Sequence, residues 1–401
     1  MSTTPESPVR SAAHDAGTGF GCPFCALACD DLSPPADNRA RGMDCERARA
    51  GFTLALEHTE ATPRLAGVAA TWDDAVAAAH TLLRNARLPL FHGLLGDLGD
   101  ARSAWSLAAR FGGVVDHRDG DAMARALGVY QDSGWITTSL GEARNRADLI
   151  VWVGEPTHDA LPRLRERLFE CRERLHTDAA PEVVELGARP RERIDHVRTL
   201  HGGRPLPHDD PDATQLLEQL RNARYAVFLI GRLADDEADM ALRTAGELVR
   251  ELNEHQRAAL LLTGQGPGDV STQLCGAWRN GFGLRTSLAR GYPEQDIKRF
   301  AARRLLDDGE ADLLVWISSL DATPPPQTRQ PQLVFGHPAM RFDHEPAVYL
   351  PVAVPGVHRA GFIHRGDAMR LVTLFAVTAS TLPDLAALCA RLLEDKAVTP
   401  C

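Results

Sequence analysis

The chain has 401 residues, of which 44% are hydrophobic, and its formal net charge is −10 at pH 7. This length is enough for two or three domains, and the acidic balance, with no basic stripe between aromatics, argues against nucleic-acid binding. The sequence contains no run of about 18 apolar residues, and residues 1–20 contain no apolar signal-peptide core. We therefore expect a soluble, cytoplasmic protein without a membrane partner.

Four cysteines near the N-terminus, Cys22, Cys25, Cys29 and Cys45, form the motif C-x2-C-x3-C-x15-C. Thiolates are soft ligands, and this spacing lets all four face one centre, which suits a [4Fe–4S] cluster or a tetrahedral zinc ion. Zinc modules usually contain two C-x2-C pairs, whereas three cysteines here lie within eight residues and the fourth follows a loop. The motif therefore favours the cluster, with zinc and unmetallated thiols as alternatives, and a reducing cytoplasm disfavours disulfides. For Asp30 and Asp31, directly after the third cysteine, we expect a helix cap, with contact to a neighbouring subunit as the alternative.

Beyond this motif, short apolar runs alternate with helical stretches, which predicts an α/β fold with parallel strands covered on both faces. The predicted strands are 88–93, 148–154, 182–186, 225–231, 258–263, 312–318 and 332–336. The predicted helices are 72–86, 100–111, 159–175, 213–222, 234–252 and 294–307. In the third helix, Arg and Glu recur at helical spacings, which predicts a solvated face with ion pairs along the helix.

Two segments, 146–162 and 310–326, share an acidic start, an apolar strand with a Trp and a loop with Pro, which predicts two related lobes. The polar, Pro- and Gly-rich stretch 187–212 is interpreted as their connection. One large sheet with a long surface excursion is the alternative. Ligands in such folds bind at the carboxyl ends of the strands. The candidate cofactor-pocket residues are therefore Gly154, Glu155, Gly231, Gly264, Gly266, Ser318 and Ser319.

The segment GQGPGD (264–269) follows a predicted strand but lacks the lysine of a Walker loop, so a strand-exit turn is favoured over a phosphate loop. The sequence has no G-x-S-x-G elbow, no H-E-x-x-H and no His-x-His pair. It therefore offers no independent hydrolytic site.

Several segments together resemble the B subunit of formylmethanofuran dehydrogenase, a relative of the molybdopterin formate dehydrogenases. GCPFCALACDDL (21–32) followed by Cys45 is similar to the N-terminal signature of this family, and residues 133–163 are similar to its run that leads into a strand. Residues 276–293, 310–319 and 354–372 match in order and spacing. The resemblance covers nearly all of the chain.

The resemblance implies a molybdopterin-oxidoreductase-like α/β fold with two parallel-sheet lobes and a small cysteine-rich N-terminal domain. We expect that domain at 1–60, the first lobe at 61–200, the second at 201–345 and a C-terminal closing segment at 346–401. The resemblance also implies that the chain is one subunit of a larger complex, which acts in tetrahydromethanopterin-linked one-carbon metabolism. In methanogens such a subunit holds a tungsto- or molybdopterin and a [4Fe–4S] cluster. In methylotrophic bacteria a similar subunit belongs to a formyltransferase/hydrolase complex that releases formate.

One departure from the family decides between these functions. The family's pterin-bound metal is liganded by Cys or selenocysteine, and the matching position here is near Ala122, followed by Met123. The sequence has no cysteine between Cys45 and Cys171, and His117 lies upstream of the motif. A soft metal loses its anchor and redox tuning without this sulfur, which argues against a bound molybdopterin or tungstopterin.

We therefore expect a redox-inactive structural subunit of a formyltransferase/hydrolase complex, with the cluster kept as a structural clip. The alternative is an active molybdenum or tungsten dehydrogenase subunit, with Asp121 as an unusual ligand, and a zinc-clipped interaction module is a third hypothesis.

Overall fold

The buried apolar runs of the sequence form two separate β-sheets in the computed structural model, which describes residues 19–170, 174–176 and 179–394. The strands are β1 (Arg64–Leu65), β2 (Val68–Ala69), β3 (Pro89–Leu95), β4 (Val114–Val115), β5 (Leu149–Val153), β6 (Glu182–Glu185), β7 (Tyr225–Ile230), β8 (Arg257–Leu261), β9 (Thr286–Ser287), β10 (Glu294–Gln295), β11 (Leu313–Ser318), β12 (Gln332–Gly336), β13 (Val348–Pro351), β14 (Gly361–His364) and β15 (Leu371–Leu374). The helices are α1 (Glu46–Leu56), α2 (Trp72–Asn85), α3 (Leu98–Phe111), α4 (Gly120–Ser133), α5 (Leu140–Arg146), α6 (Leu164–Leu168), α7 (Arg191–His201), α8 (Pro211–Asn222), α9 (Ala238–Leu252), α10 (Asp269–Asn280), α11 (Ala302–Asp307) and α12 (Leu385–Leu393).

The larger sheet has nine strands in the order β10-β9-β4-β3-β11-β12-β13-β1-β2. Its central strands β4, β3, β11, β12 and β13 are parallel, and the short strands at both edges are antiparallel. All residues of β11 are buried, as expected of a central strand with helices on both faces. Helices α2, α3 and α12 pack on one face, where Trp105 and Phe91 are fully buried.

The smaller sheet has four parallel strands in the order β6-β5-β7-β8. Helices α7, α8 and α9 cover one face through an aliphatic core that includes Ile194, Leu217 and Leu248. On the other face, Ile150, Trp152 and their neighbours pack against the cysteine segment. A third pairing, β14 with β15, forms a separate antiparallel hairpin.

All seven predicted strands are confirmed, and the two similar Trp-containing segments lie in different sheets. Trp152 belongs to β5 and Trp316 to β11, and each of these strands has a parallel neighbour on both sides. The sheets do not follow the expected division at residue 200. The four-stranded sheet lies in the chain between β4 and β9, which pair with each other in the nine-stranded sheet.

The expected boundaries near 60 and 345 do not separate independent units either. Residues 20–56 share one hydrophobic core with β5, β7, β8 and the β14–β15 hairpin. Strand β13 continues the nine-stranded sheet beyond residue 345. These segments are joined by burial of apolar surface, which sequence composition does not reveal.

Three segments differ from their predicted secondary structure. The proposed connection 187–212 contains α7, which buries only Ile194 and Val197. The predicted helix 294–307 begins instead with β10, and only Ala302–Asp307 is helical. The predicted helix 159–175 is reduced to Leu164–Leu168, and its residues 171–173 lie outside the described part of the chain. Of the described helices, none combines the length and apolar character needed to span a bilayer.

Candidate functional site

The four cysteines of the N-terminal motif lie around one small cavity, which is also lined by Leu27, Arg47 and Arg163. The chain folds back within the motif, because the Cys22 amide donates to the Cys29 carbonyl (N···O 2.8 Å). Inside this loop, Ala28 has a φ of +40° and donates to the Cys25 carbonyl (3.1 Å). Cys45 arrives from a different direction, as the residue that precedes α1. The four cysteines thus line one cavity, and their role as ligands of a metal group stays a prediction.

Burial has the largest effect on the pKa values of these thiols. Cys22, Cys25 and Cys29 are buried and Cys45 is half-buried, and none of them forms a disulfide. Burial raises the pKa of Cys22 and Cys25, and it raises the pKa of Cys29 to about 12. The neighbouring thiols raise the pKa of Cys22 further, since adjacent thiolates repel each other. A positively charged group bound among these sulfurs would reverse this, because it would stabilise the thiolates.

Three arginines supply positive charge around the cysteine loop. Arg47 lowers the pKa of Cys25, and Arg167 and Arg163 lower the pKa of Cys29, in each case against the larger effect of burial. Arg47 is also fixed to the loop, because its Nε donates to the Phe24 carbonyl (2.8 Å). None of the three was expected at this site, because the spacing of Arg and Glu predicted a solvated helix face for Arg163 and Arg167.

The acidic pair after the third cysteine does not cap a helix, contrary to the prediction. Asp31 accepts from Arg163 (2.8 Å) and Arg167 (2.6 Å), and Asp30 pairs with Arg370 (2.5 Å) and more distantly with Arg167 (3.4 Å). These ion pairs hold the start of α6 against the cysteine loop. Complementary charge at Asp30–Asp31 and on the arginine-rich segment was the one signal in the sequence that could have suggested this contact.

The distances between the four sulfurs can be compared with those in a tetrahedral zinc site. Within the described chain, no three of the four cysteine sulfurs lie within 4.8 Å of one another. A single tetrahedral zinc ion with Zn–S bonds of about 2.3 Å would need sulfurs only about 3.8 Å apart. The four sulfurs are therefore more widely spaced than those around a single zinc ion.

A second candidate site, which we call the inter-sheet cavity, is a cavity of about 450 Å³ between the carboxyl ends of β7 and β8 and α10, which packs on α3 of the nine-stranded sheet. Its walls come from α4, the segments that follow these two strands, α10 and the turn at residues 366–369. This position agrees with the rule that ligands bind at the carboxyl ends of parallel strands. Of the seven candidate pocket residues, only Gly231 and Gly264 line this cavity.

The other five candidates lie elsewhere. The backbone of Glu155 pairs with that of Arg232, which does line the cavity. Gly154 precedes Glu155 in the chain, and Gly266 lies against Asp119. Ser318 and Ser319 are buried at the end of β11 in the other sheet. The rule locates a shared sheet edge, but it cannot tell which of two sheets forms the cavity.

The segment that the family resemblance matches to the metal-ligating Cys lines this cavity. Ala122 and Met123, in the first turn of α4, both line it, as does Asp121. No Cys or His is among the described residues that line it. His117, the nearest imidazole in sequence, is buried outside the lining, and burial lowers its pKa to about 4.

The charged side chains around the cavity are already paired. Arg125 bonds Asp235 (2.6 Å) and Arg232 bonds Glu155 (2.8 Å), while Asp121 bonds Arg285, the residue before β9. A pterin dinucleotide would need cations for its phosphates and a soft ligand for its metal. The described lining offers no thiolate, no imidazole and no unpaired arginine, and its only sulfur atoms are the thioethers of Met123 and Met369, so these residues fit that group poorly.

The cysteine loop and the inter-sheet cavity share a wall. The Gly366 amide donates to the Ala26 carbonyl (2.6 Å), and the Gly264 amide donates to the Gly366 carbonyl (3.0 Å). Ala26 lies between the second and third cysteines, and both glycines line the cavity. Two hydrogen bonds therefore connect the two sites.

The segment 264–269 forms a strand-exit turn around a carboxylate. Asp269 accepts backbone hydrogen bonds from Gln265 (2.6 Å), Gly266 (3.2 Å) and Val270 (2.6 Å). These amides would be the donors of a phosphate loop, and the protein's own carboxylate occupies them.

No family model matches the chain. The chain is 30% identical over 276 residues to the B subunit of the formyltransferase/hydrolase complex Fhc of Methylorubrum extorquens, a match that covers 65% of this chain and 75% of that relative. It is 27% identical over 401 residues to the B subunit of the tungsten-containing formylmethanofuran dehydrogenase 2 of Methanocaldococcus jannaschii, covering 87% and 91% of the two chains.

Among solved structures, the chain is similar to a chain of the formyltransferase/hydrolase complex FhcABCD from Methylorubrum extorquens, crystallised with methylofuran. The TM-score is 0.72 with 24% identity, and the match covers 82% of this chain and 97% of that chain. This likeness supports the α/β fold with parallel sheets. The sequence matches identify the chain as a member of the family formed by the B subunits of the formyltransferase/hydrolase complex and of formylmethanofuran dehydrogenase.

Proposed function

We propose that this chain is the B subunit of a formyltransferase/hydrolase complex in tetrahydromethanopterin-linked one-carbon metabolism, and that it performs no redox chemistry. Its partners are the other subunits of such a complex, as the relative and the solved complex from Methylorubrum extorquens suggest. Transfer and hydrolysis of the formyl group belong to those partners, because the sequence of this chain has no hydrolytic motif. The role of this chain is then to hold the complex together.

One observation carries the redox-inactive part of this proposal. Ala122 lies near the position that the family resemblance assigns to the metal-binding Cys, and it lines the inter-sheet cavity. The described lining of this cavity provides no thiolate or imidazole to a metal. Its paired arginines offer little to the phosphates of a pterin cofactor. These two properties together favour the formyltransferase/hydrolase role over the molybdenum or tungsten dehydrogenase.

We further propose that Cys22, Cys25, Cys29 and Cys45 hold a [4Fe–4S] cluster as a structural clip. A bound cluster would supply iron–thiolate bonds that cross-link the loop of the first three cysteines to the start of α1. The four side chains converge on one cavity from two chain segments, and their sulfurs are too far apart for a single zinc ion.

The surrounding charges suit this assignment. A thiolate-bound cluster is negatively charged, and Arg47, Arg163 and Arg167 surround the loop. Asp30 and Asp31 keep two of these arginines in position. The described chain contains no second cysteine group near the cavity that could take part in an electron path, which favours a structural task for the cluster.

The test is to purify the full chain anaerobically with the partners that co-elute, and to measure iron, acid-labile sulfide, zinc, molybdenum and tungsten in one sample. Iron and sulfide at about four atoms each per chain, without molybdenum or tungsten, are expected. The same sample should release formate from a formylated furan-type carrier without reducing an electron-accepting dye.

Each part of the proposal can fail separately. Stoichiometric molybdenum or tungsten with dye reduction would make the chain an active dehydrogenase subunit. Zinc without acid-labile sulfide would show that the cysteines hold a zinc ion and not an iron–sulfur cluster. Co-elution with no formyltransferase or hydrolase activity would overturn the assignment to that complex.

A further inference from the structure

A group of metal-ligating side chains lies on the four-stranded sheet domain, away from both sites described above. Glu192 and His196 lie four residues apart on α7, so they project from the same face of the helix. His208 comes from the loop that leads to α8. One ligand atom from each of these three residues lies within 4.8 Å of the other two.

An additional carboxylate orients one of the imidazoles. Asp210 Oδ2 lies 2.8 Å from His196 Nδ1, while its Oδ1 accepts from the Ala213 amide (3.0 Å) and thereby caps α8. Metal-binding histidines commonly use one ring nitrogen for such a carboxylate and the other for the metal. The contact leaves Nε2 of His196 as the nitrogen available to a metal, and it fixes the orientation of the ring.

The surroundings also favour a cation. Three carboxylates, Glu192, Asp210 and Asp212, meet one guanidinium, that of Arg193, which pairs with Asp210 (3.2 Å) and Asp212 (2.9 Å). Counting one charge for each group, this leaves a surplus of two negative charges beside the imidazoles. All of these side chains line an open polar pocket of about 810 Å³, which gives ions and water access.

We propose that Glu192, His196 and His208 bind one divalent transition-metal ion of the zinc class, with Asp210 as the orienting carboxylate. Two imidazoles and one carboxylate are a ligand set used for Zn²⁺, and imidazole is a poor match for Mg²⁺ or Ca²⁺. Three protein ligands leave the fourth position to water or a small anion from the pocket. The ion would join α7 to the start of α8, and this site does not depend on the proposed role in one-carbon metabolism.

The test uses the full chain and Co²⁺ as a spectroscopic probe of the zinc site. Co²⁺ bound at the cysteines would give sulfur-to-cobalt charge-transfer absorption, whereas Co²⁺ at Glu192, His196 and His208 would give only ligand-field bands. Titration by absorption and by calorimetry should therefore resolve one site without the sulfur signal. Zn²⁺ should displace Co²⁺ from it and raise the midpoint of thermal unfolding.

Variants assign the site to these residues. Glu192→Gln and His208→Gln alter exposed side chains and should each weaken Co²⁺ binding at least tenfold. Asp210→Asn should weaken it about 10- to 100-fold, although Asn caps a helix as well as Asp does. The exposed His255→Gln, on the loop before β8, is the matched control and should bind as the unaltered chain does.

Two results would overturn the proposal. One is the absence of a sulfur-free Co²⁺ site in the unaltered chain. The other is unchanged Co²⁺ affinity in both Glu192→Gln and His208→Gln, with thermal unfolding of the metal-free variants equal to that of the unaltered chain.

Discussion

Gly366 joins the cysteine loop to the wall of the inter-sheet cavity, and adding one methyl group there should disturb the hydrogen bonds on both sides of this residue. A Cβ at this position would lie 2.5 Å from the Gly264 nitrogen, 2.9 Å from the Ala26 oxygen and 3.2 Å from the Ala26 Cβ. The first two distances are too short for any real contact, and they involve backbone atoms that cannot rotate away. Gly366→Ala must therefore push the two neighbouring segments apart.

The expected cost follows from the hydrogen bonds that are lost. Gly366 donates to Ala26 and accepts from Gly264, and the polar groups that meet here lie in the interior. A buried polar group left without a partner costs about 1–3 kcal/mol. Allowing for partial relaxation, we expect Gly366→Ala to lower the free energy of unfolding by about 2–4 kcal/mol. Because Ala26 lies between two cysteines, the iron content should fall in parallel.

Guanidinium unfolding of the full chain and iron analysis of the same preparation measure the two effects. Gly141→Ala is the control, because Gly141 lies in α5 and its added Cβ would meet no atom closer than 3.8 Å. That substitution should stabilise the helix by up to about 1 kcal/mol. If Gly366→Ala unfolds within about 0.5 kcal/mol of the unaltered chain and keeps its iron, the reasoning about the shared wall is refuted.

Three other substitutions test the buried charges and the cysteines. Arg359→Met removes the partner of two buried carboxylates and should cost about 3–5 kcal/mol at pH 8. Burial raises the pKa of Asp100 to about 6, so this carboxyl gains a proton as the pH falls below 6, and the cost measured by chemical unfolding at pH 5 should be smaller; an equal cost at both pH values would contradict this. Cys45→Ser should lower the bound iron measured by elemental analysis, whereas Cys389→Ser, at a buried site outside the cysteine cavity, should not; equal iron in both would exclude Cys45 as a ligand. Burial lowers the pKa of His337 to about 3 in the folded chain. Below about pH 6.5 the histidine is therefore protonated in the unfolded chain but not in the folded one, and the folded chain loses stability as the pH falls. His337→Asn should therefore lose less stability between pH 7 and pH 4 in the same unfolding assay, and an identical pH dependence would show that this histidine does not contribute.

The buried strands were predictable because they satisfy a local rule. Strands such as β7 and β11 are continuous apolar runs, and a strand covered on both faces needs apolar side chains at every position. Helix α7 was missed for the opposite reason. Most of its residues are charged or polar, it buries only Ile194 and Val197, and Pro and Gly flank it.

The arrangement of the strands could not be predicted by such a rule. Strands β3 and β11 are neighbours in the sheet, yet about 220 residues separate them in the chain. Pairing over such a separation depends on the packing of both faces, and the sequence shows no local sign of it. The two sheets are therefore interleaved in the chain, where a simple division at residue 200 was expected.

The residues of the candidate sites likewise include some that a local sequence pattern predicted and others that it did not. The cysteine spacing predicted that Cys22, Cys25, Cys29 and Cys45 share one cavity, because three of them are close in sequence. The arginines around the cavity come from other elements, and their surface-like pattern concealed their role. Ala122 was placed by family resemblance alone, and only the folded chain shows that it faces a cavity.

The contacts of the cysteine loop also determine when this site can be completed during synthesis. Gly21 packs against the Thr373 carbonyl, and Ala26 accepts from the Gly366 amide, so the loop rests on the β14–β15 hairpin. The ribosome makes the cysteines first and this hairpin more than 300 residues later. A nascent chain that ends before residue 361 therefore contains all four thiols but lacks the hairpin against which their loop packs, so the loop reaches its final surroundings only after nearly the whole polypeptide has been made.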